Sequence, residues 1–175
     1  MSYQQELTRR FLASPVGMCL ATQTLNQTPS VGGTISFNGF LEMNGTLHLD
    51  LSLSSGSLVL PQGYWYYIEA SVQFLITGIL PGNYQSAYAK VSLYEGASKV
   101  GTQGHNAMQQ SGKDSALFSA DEKSIALIDA TSAQKTITLK LDDIYIFNSV
   151  NNTTDSQYVY GGQGRALVVQ LEGAP

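Results

Sequence analysis

The sequence predicts an all-β protein, an antiparallel β-sandwich of the jelly-roll kind, and three observations predict it. Apolar residues alternate with polar ones at period two in several separate segments. Turn residues sit between those segments. Charged residues are only 13% of the chain, against about 25% in an ordinary soluble domain. A chain of 175 residues is long enough for one domain with a substantial core.

Residues 2–13 read as a helix. Ser2 and Gln5 fit a capping box, and Tyr3, Leu7 and Phe11 fall four apart on one face, with Arg10 beside them. Pro15 ends it. So short a helix is marginal alone in water, so residues 1–15 form an arm that either folds back on its own domain or docks on a neighbour. Residues 16–175 form the single sandwich domain.

From there the period is two. In Thr46–Ser54, Leu47, Leu49, Leu51 and Leu53 alternate with polar residues. A strand puts all four on one side, whereas a helix scatters them. Leu60-Pro61-Gln62-Gly63 is a turn. It leads into Tyr64–Phe74, with Tyr64, Tyr66, Ile68, Ala70, Val72 and Phe74 on one face and Trp65, Tyr67, Glu69, Ser71 and Gln73 on the other. Ala87, Ala89, Val91 and Leu93 mark the next strand, and a short one follows near Lys99–Thr102. Ile125 and Leu127 begin another, and Ile137, Leu139 and Leu141 point inward from the next, which continues apolar from Ile144 to Phe147. Leu167, Val169 and Leu171 share one side of the last strand. Gly101–Ser115, Asn148–Gln157 and Gly161–Gly164 read as loops, the last as a tight turn or bulge.

Charge is scarce and uneven. Between Phe11 and Ala89 the charged residues are Glu42, Asp50 and Glu69. A polar but weakly charged surface suits close packing against copies of itself or another protein, because burying an unpaired charge is costly. The net charge of −4 and the lack of a basic block argue against nucleic-acid binding, and the apolar runs are too short to span a bilayer as helices. The polar Met1–Arg10 segment has no signal-peptide core, so synthesis in a cytoplasm is expected. Cys19, the one cysteine, is expected as a small buried apolar group. Asn-x-Thr sequons at Asn26, Asn44, Asn151 and Asn152 mark polar turns.

Little in the chain looks like a catalytic or metal site. His48, His105 and Cys19 lack zinc-site spacing. Gly-x-Ser-x-Gly is absent, and Gly161–Gly164 precedes a strand rather than the helix a phosphate loop needs. The acidic pairs Asp121-Glu122 and Asp142-Asp143 diverge if they lie on strands; in a turn, Asp142-Asp143 could meet a calcium ion. Lys123, Lys140 and Asp142 read as a solvated face. No enzyme activity and no cofactor are expected.

The order of features resembles the jelly rolls of the complement-globular-head and tumour-necrosis-factor-like superfamily. Ser57-Leu58-Val59-Leu60-Pro61-Gln62-Gly63-Tyr64-Trp65-Tyr66-Tyr67 resembles its "apolar, Pro-x-Gly, aromatic strand" element. Ala89–Gly96 is similar to its following strand, Phe118–Leu141 to the paired strands after it, and Gly164–Leu171 to its terminal strand. The resemblance spans about residues 30–172 and implies a ten-strand-like jelly roll that assembles as a compact homotrimer. Such modules occur in secreted animal proteins and in phage head fibres, decoration proteins and fibre tips; the missing export signal and stalk favour the phage setting. No receptor-contact or calcium motif of the superfamily maps onto the chain.

The expected role is therefore a structural virion protein on the virion surface, a trimeric capsid decoration or head-fibre protein. Its partners would be itself and the major capsid protein or another virion protein. The alternative is a fibre-tip domain that binds a receptor or host surface glycan. The aromatics Tyr64, Trp65, Tyr66 and Tyr67, with Tyr145 and Phe147, are the candidate trimer interface, since rings on both faces of one strand exceed what a single core can take. Tyr3, Leu7, Arg10 and Phe11 are the candidate capsid-docking residues, and His105, Asn106, Asn151 and Asn152 the candidate ligand-loop residues.

Overall fold

The computed structural model describes residues 17–22, 30–41, 51–78, 84–102, 104–111, 116–148, 153–154 and 158–171. The chain there is all strand and turn. The strands are β1 (Gly17–Thr22), β2 (Gly39–Leu41), β3 (Ser52–Ser54), β4 (Ser57–Leu60), β5 (Trp65–Gly78) and β6 (Tyr84–Glu95). After them come β7 (Ser98–Lys99), β8 (Gly104–Ser111), β9 (Ala116–Asp129), β10 (Lys135–Asn148), β11 (Thr153–Thr154) and β12 (Tyr158–Leu171).

They form two antiparallel sheets. A five-stranded sheet runs β2-β1-β12-β5-β9 and a seven-stranded sheet runs β3-β4-β10-β6-β7, with β8 on β6 and β11 on β10. From β4 to β12 the chain passes back and forth between the sheets, so its first and last long strands end up adjacent. That winding is a jelly roll. The predicted arm and the leucines at 47 and 49 lie outside the described residues.

One core fills the space between the sheets. Tyr66, Ile68, Ala70 and Val72 of β5 meet Ala126 and Ile128 of β9 and Ala166 and Val168 of β12 from one side. Leu58 and Leu60 of β4, Ala89, Val91 and Leu93 of β6 and Ile137, Leu139 and Leu141 of β10 come from the other. The alternation read from the sequence thus points inward where expected, and each fully buried Leu or Ile stabilises by about 1.5–3 kcal/mol before entropy. Leu51 and Leu53 pack against this core. Cys19 is buried, and burial pushes its thiol pKa up to about 11.

Several expectations change. Gly101–Ser115 is not all loop: Gly104–Ser111 is a strand paired along β6, so His105 lies opposite Lys90 and Asn106 opposite Ala89. Gly161–Gly164 is neither turn nor bulge. It runs inside β12, opposite Leu75, Phe74, Gln73 and Val72 of β5. Glycine is a poor strand former alone, but here the partner strand supplies a continuous ladder. The strand holding Ile125 and Leu127 starts earlier, at Ala116, so Asp121 and Glu122 are strand residues.

In β10 the inward phase switches from Ile137, Leu139 and Leu141 to Ile144. A bulge between Leu141 and Asp143 makes Asp142 the extra residue and resets the phase. The sequence carries the same phase slip, and only a bulge reconciles it with one buried face.

Two glycines meet close approaches. A Cβ on Gly56, at φ +79°, would lie 2.3 Å from Ser36 Cβ. With Ser55 at φ 49°, Gly56 makes the two-residue turn between β3 and β4 with both φ values positive. A Cβ on Gly101 would lie 2.7 Å from the Ile125 carbonyl. That close approach lets Thr102 donate its N–H to Ile125 O at 2.8 Å and cover the edge of β9.

Candidate association surface

The two sheets each have an outer face, and the faces differ. On the five-stranded sheet, antiparallel register sets side chains in rows across β9, β5, β12 and β1. The first row is Asp129, Trp65 and Leu171; the second is Leu127, Tyr67, Val169 and Met18. The third is Ile125, Glu69, Leu167 and Leu20, extended by Leu41 of β2. Tyr67, Val169 and Leu171 form a second apolar cluster, with Met18, Trp65, Ile125, Leu127 and Leu167 packed on it. The fourth row is polar: Lys123, Ser71, Arg165 and Thr22. One end of this face is therefore apolar over three rows.

The strands beneath it explain why. Ile125–Ile128, Trp65–Ile68 and Ala166–Val169 are continuous apolar runs, the pattern of strands covered on both faces. Leu167, Val169 and Leu171 do share a side, as read from the sequence, and that side is the outer one.

The apolar end contains two carboxylates, Asp129 at the edge of its first row and Glu69 in its third. Lys123 Nζ is 3.0 Å from Glu69 Oε1, and the Tyr67 hydroxyl donates to Oε2 at 3.3 Å. The Lys123 hydrogen bond is the main reason the Glu69 pKa lies below its usual value. Arg165 Nε donates to Ser71 Oγ at 3.1 Å.

Around the β10 bulge, the outer face of the seven-stranded sheet is polar among the described residues. At the β10 bulge, Asp142 accepts hydrogen bonds from Ser92 Oγ at 2.6 Å, Tyr94 OH at 2.6 Å and Lys99 Nζ at 2.8 Å. The Asp142 side chain is 9% exposed. Burial alone would raise its pKa, but the three donors outweigh burial and hold it below the usual range. Lys140 Nζ sits 4.7 Å from the Tyr94 ring centroid. This cluster is a clamp on the bulge. Asp142 lies at a bulge rather than on a regular strand, and its oxygens are taken by hydroxyl and ammonium donors.

The predicted residues separate. Tyr66 is fully buried between the two sheets, its hydroxyl donating to Pro61 O at 3.0 Å and its pKa pushed up to about 12 by burial. It leaves the candidate interface, because a ring enclosed by its own domain has no surface to offer. Tyr67 is only 9% exposed, already shielded within one chain. The rings therefore leave less open area than expected, and the aliphatic neighbours contribute more. Trp65 stays on the outer face, half-buried, while Tyr64 is exposed at the strand end, edge-on to Tyr66. Tyr145 and Phe147 fall on β10, opposite Tyr88 and Ser86, in the other sheet. Tyr3, Leu7, Arg10, Phe11, Asn151 and Asn152 lie outside the described residues. His105 and Asn106 are on β8, next to its start at Gly104.

Sequence reading missed Met18, Leu20 and Leu41 as surface residues, since β1 and β2 are short and give no alternation long enough to read. It placed Glu69 on one face with Trp65 and Tyr67 but gave no sign that Ile125 and Leu167 flank it. Among the described residues no group of three or more His, Cys, Asp or Glu is placed to hold a metal ion. Among them, too, no helix is long and apolar enough to cross a membrane.

No family model and no curated protein matches the chain. Among solved structures it is similar to the globular domain of zebrafish complement 1qA protein, at 7% identity. That match covers 88% of this chain and 94% of the other, with a TM-score of 0.41. A likeness that distant carries no weight by itself; the jelly-roll assignment follows from the strand order above.

Proposed function

We propose that this chain is a non-enzymatic structural subunit that assembles with copies of itself through the outer face of its five-stranded sheet. In this reading the assembly is a homotrimer on the outside of a phage particle, as a capsid decoration or head-fibre protein. The observation that carries self-association is the apolar end of that face, three rows deep, beside a polar face on the opposite sheet. In the single chain Tyr67, Val169 and Leu171 of this patch are buried, Met18, Trp65, Ile125, Leu127 and Leu167 half-buried and Leu41 exposed, and such part-open apolar area is what an interface would cover. Of the two carboxylates in these rows, Glu69 is paired to Lys123 within its own chain, and Asp129, exposed at the edge of the first row, accepts from the Thr131 N–H and hydroxyl. The virion setting is supported by the charge-poor stretch between Phe11 and Ala89 and by the resemblance of the Pro61-to-Tyr67 element.

The test is native mass by light scattering over a wide concentration range. Wild type should be oligomeric. Leu127→Asp should weaken self-association about 100-fold by placing a charge in the contact. Leu41→Asp should also weaken it with little effect on folding, since Leu41 is 56% exposed in the single chain. Thr136→Asp, on the opposite outer face, should leave the mass unchanged. A wild type that stays monomeric throughout sinks the reading. For the particle, protein lacking residues 1–13 should keep its mass and lose attachment; attachment without that segment removes the arm from the proposal.

A further inference from the structure

Strand β8 carries no pattern of its own that fixes where it pairs. Its alternate positions are His105, Ala107 and Gln109 in one set and Asn106, Met108 and Gln110 in the other. Each set is polar but for one residue, so a slip of one residue along β6 exchanges two nearly equivalent sets. Register is weakly specified in such a strand, and the choice must come from outside it.

The segment just before β8 is held on both sheets. β7 pairs with β6 at Tyr94 and Glu95, and β8 pairs with β6 from Tyr84 to Val91. Between them Leu93 has other partners. Its carbonyl accepts from the Val100 N–H at 2.9 Å, and its N–H donates across to Ser124 Oγ of β9, in the other sheet, at 3.1 Å. The chain then crosses to that sheet. Thr102 N–H donates to Ile125 O at 2.8 Å, and Thr102 Oγ1 accepts from the Ile125 N–H at 3.2 Å. The fully buried Ser124 hydroxyl donates to Thr102 O at 2.6 Å. Ser124 therefore ties β6 of one sheet to a strap lying on the other.

Gly101 permits this contact. Its φ lies outside the left-handed region, so alanine brings no backbone strain of its own there. Its Cβ, however, would lie 2.7 Å from Ile125 O and 3.1 Å from Ser124 Oγ. A slip that brings Asn106 opposite Lys90 would carry the β8 ladder on to Leu93. Both backbone groups of Leu93 are already taken, so the ladder stops at Val91.

We infer that the strap of residues 100–102, locked by Ser124, sets the register of β8 on β6 and so decides that His105 rather than Asn106 stands opposite Lys90. Gly101, Thr102 and Ser124 are positioning residues for β8. They act by occupying Leu93 and by pinning the chain to Ile125.

The experiment uses two double-cysteine forms of the full chain. Lys90→Cys with His105→Cys reports the register described above, and Lys90→Cys with Asn106→Cys reports the slipped one. Only a facing antiparallel pair lies within disulfide reach on one side of the sheet. Cys19 is buried on β1, in the other sheet. Closure in a glutathione redox buffer is read by mass after alkylation, with folding followed by circular dichroism. With the native strap the first pair should close and the second stay open. Gly101→Ala, and separately Thr102→Val, should raise closure of the second pair about tenfold, the effect of losing a hydrogen bond or two. Thr102 is exposed, so its variant keeps the test alive should the Gly101 variant unfold. A second pair that stays open in the folded variants overturns the inference, and assigns the register to residues 112–115, which join β8 to β9. A first pair that stays open with the native strap overturns it as well.

Discussion

The two outer faces of this sandwich are built from the same architecture and have opposite chemistry. On the seven-stranded sheet the outer positions near the bulge carry Ser92, Tyr94 and Asp142, joined by hydrogen bonds and an ion pair to Lys99, with Lys140 over the Tyr94 ring and Thr138 bonded to Ser57. On the five-stranded sheet the corresponding layer carries Trp65, Tyr67, Leu127, Leu167, Val169 and Leu171. A sheet needs one apolar face to make a sandwich core. The second apolar face lies outside that core, with Tyr67, Val169 and Leu171 buried and their neighbours half-buried.

The comparison breaks most sharply if one substitution is made on both faces. Leu171→Asp puts a carboxylate where the native side chain is 1% exposed. It should cost about 4 kcal/mol or more in urea denaturation, enough to unfold a marginal domain. Thr136→Asp, exposed on the other face, should stay within about 0.5 kcal/mol. Similar costs at both sites would mean the faces do not differ as described.

On the polar face the largest effect should come from Asp142→Ala. It strips three donors of their acceptor, among them the fully buried Ser92 hydroxyl, and should cost roughly 2–3 kcal/mol with no change in native mass. The same carboxylate predicts a pH response. Its folded pKa lies below the ordinary value, so its contribution is present above the unfolded pKa, about 3.9. That contribution is lost as pH falls through the folded pKa. Thermal midpoints of wild type should therefore drop more steeply below about pH 4 than those of Asp142→Asn; parallel profiles would deny the clamp its role. The smallest effect is at the β3–β4 turn. Ser55 sits at φ 49°, where asparagine is better accommodated, so Ser55→Asn should gain about 0.5 kcal/mol.

Legibility followed length and regularity. The alternation in Thr136–Leu141 and Ala87–Leu93 could be read directly, since a polar outer face and a buried inner one leave a period-two trace. The glycine run before Arg165 misled, because its pairing with Val72–Leu75 is a contact across about 90 residues of sequence that local composition cannot register. Gly104–Ser111 reads as loop for the same reason: its polar residues form a strand only because β6 offers an edge. Glu69 was visible as a rare charge, but its apolar neighbours Ile125 and Leu167 come from two other strands.

What the amino-acid order by itself determined is the set of local choices in the regularly alternating segments: that Ala87–Leu93 and Thr136–Leu141 extend, and which of their faces turns inward. Those depend on the two-residue repeat of a strand and on burial free energy, which act along the chain. Which strands became neighbours was decided only in the tertiary structure. Once β12 lay between β1 and β5, three separate apolar runs merged into one patch around a single ion pair. Hydrophobic area acts on a surface only when it is contiguous, and contiguity is a property of the folded sheet.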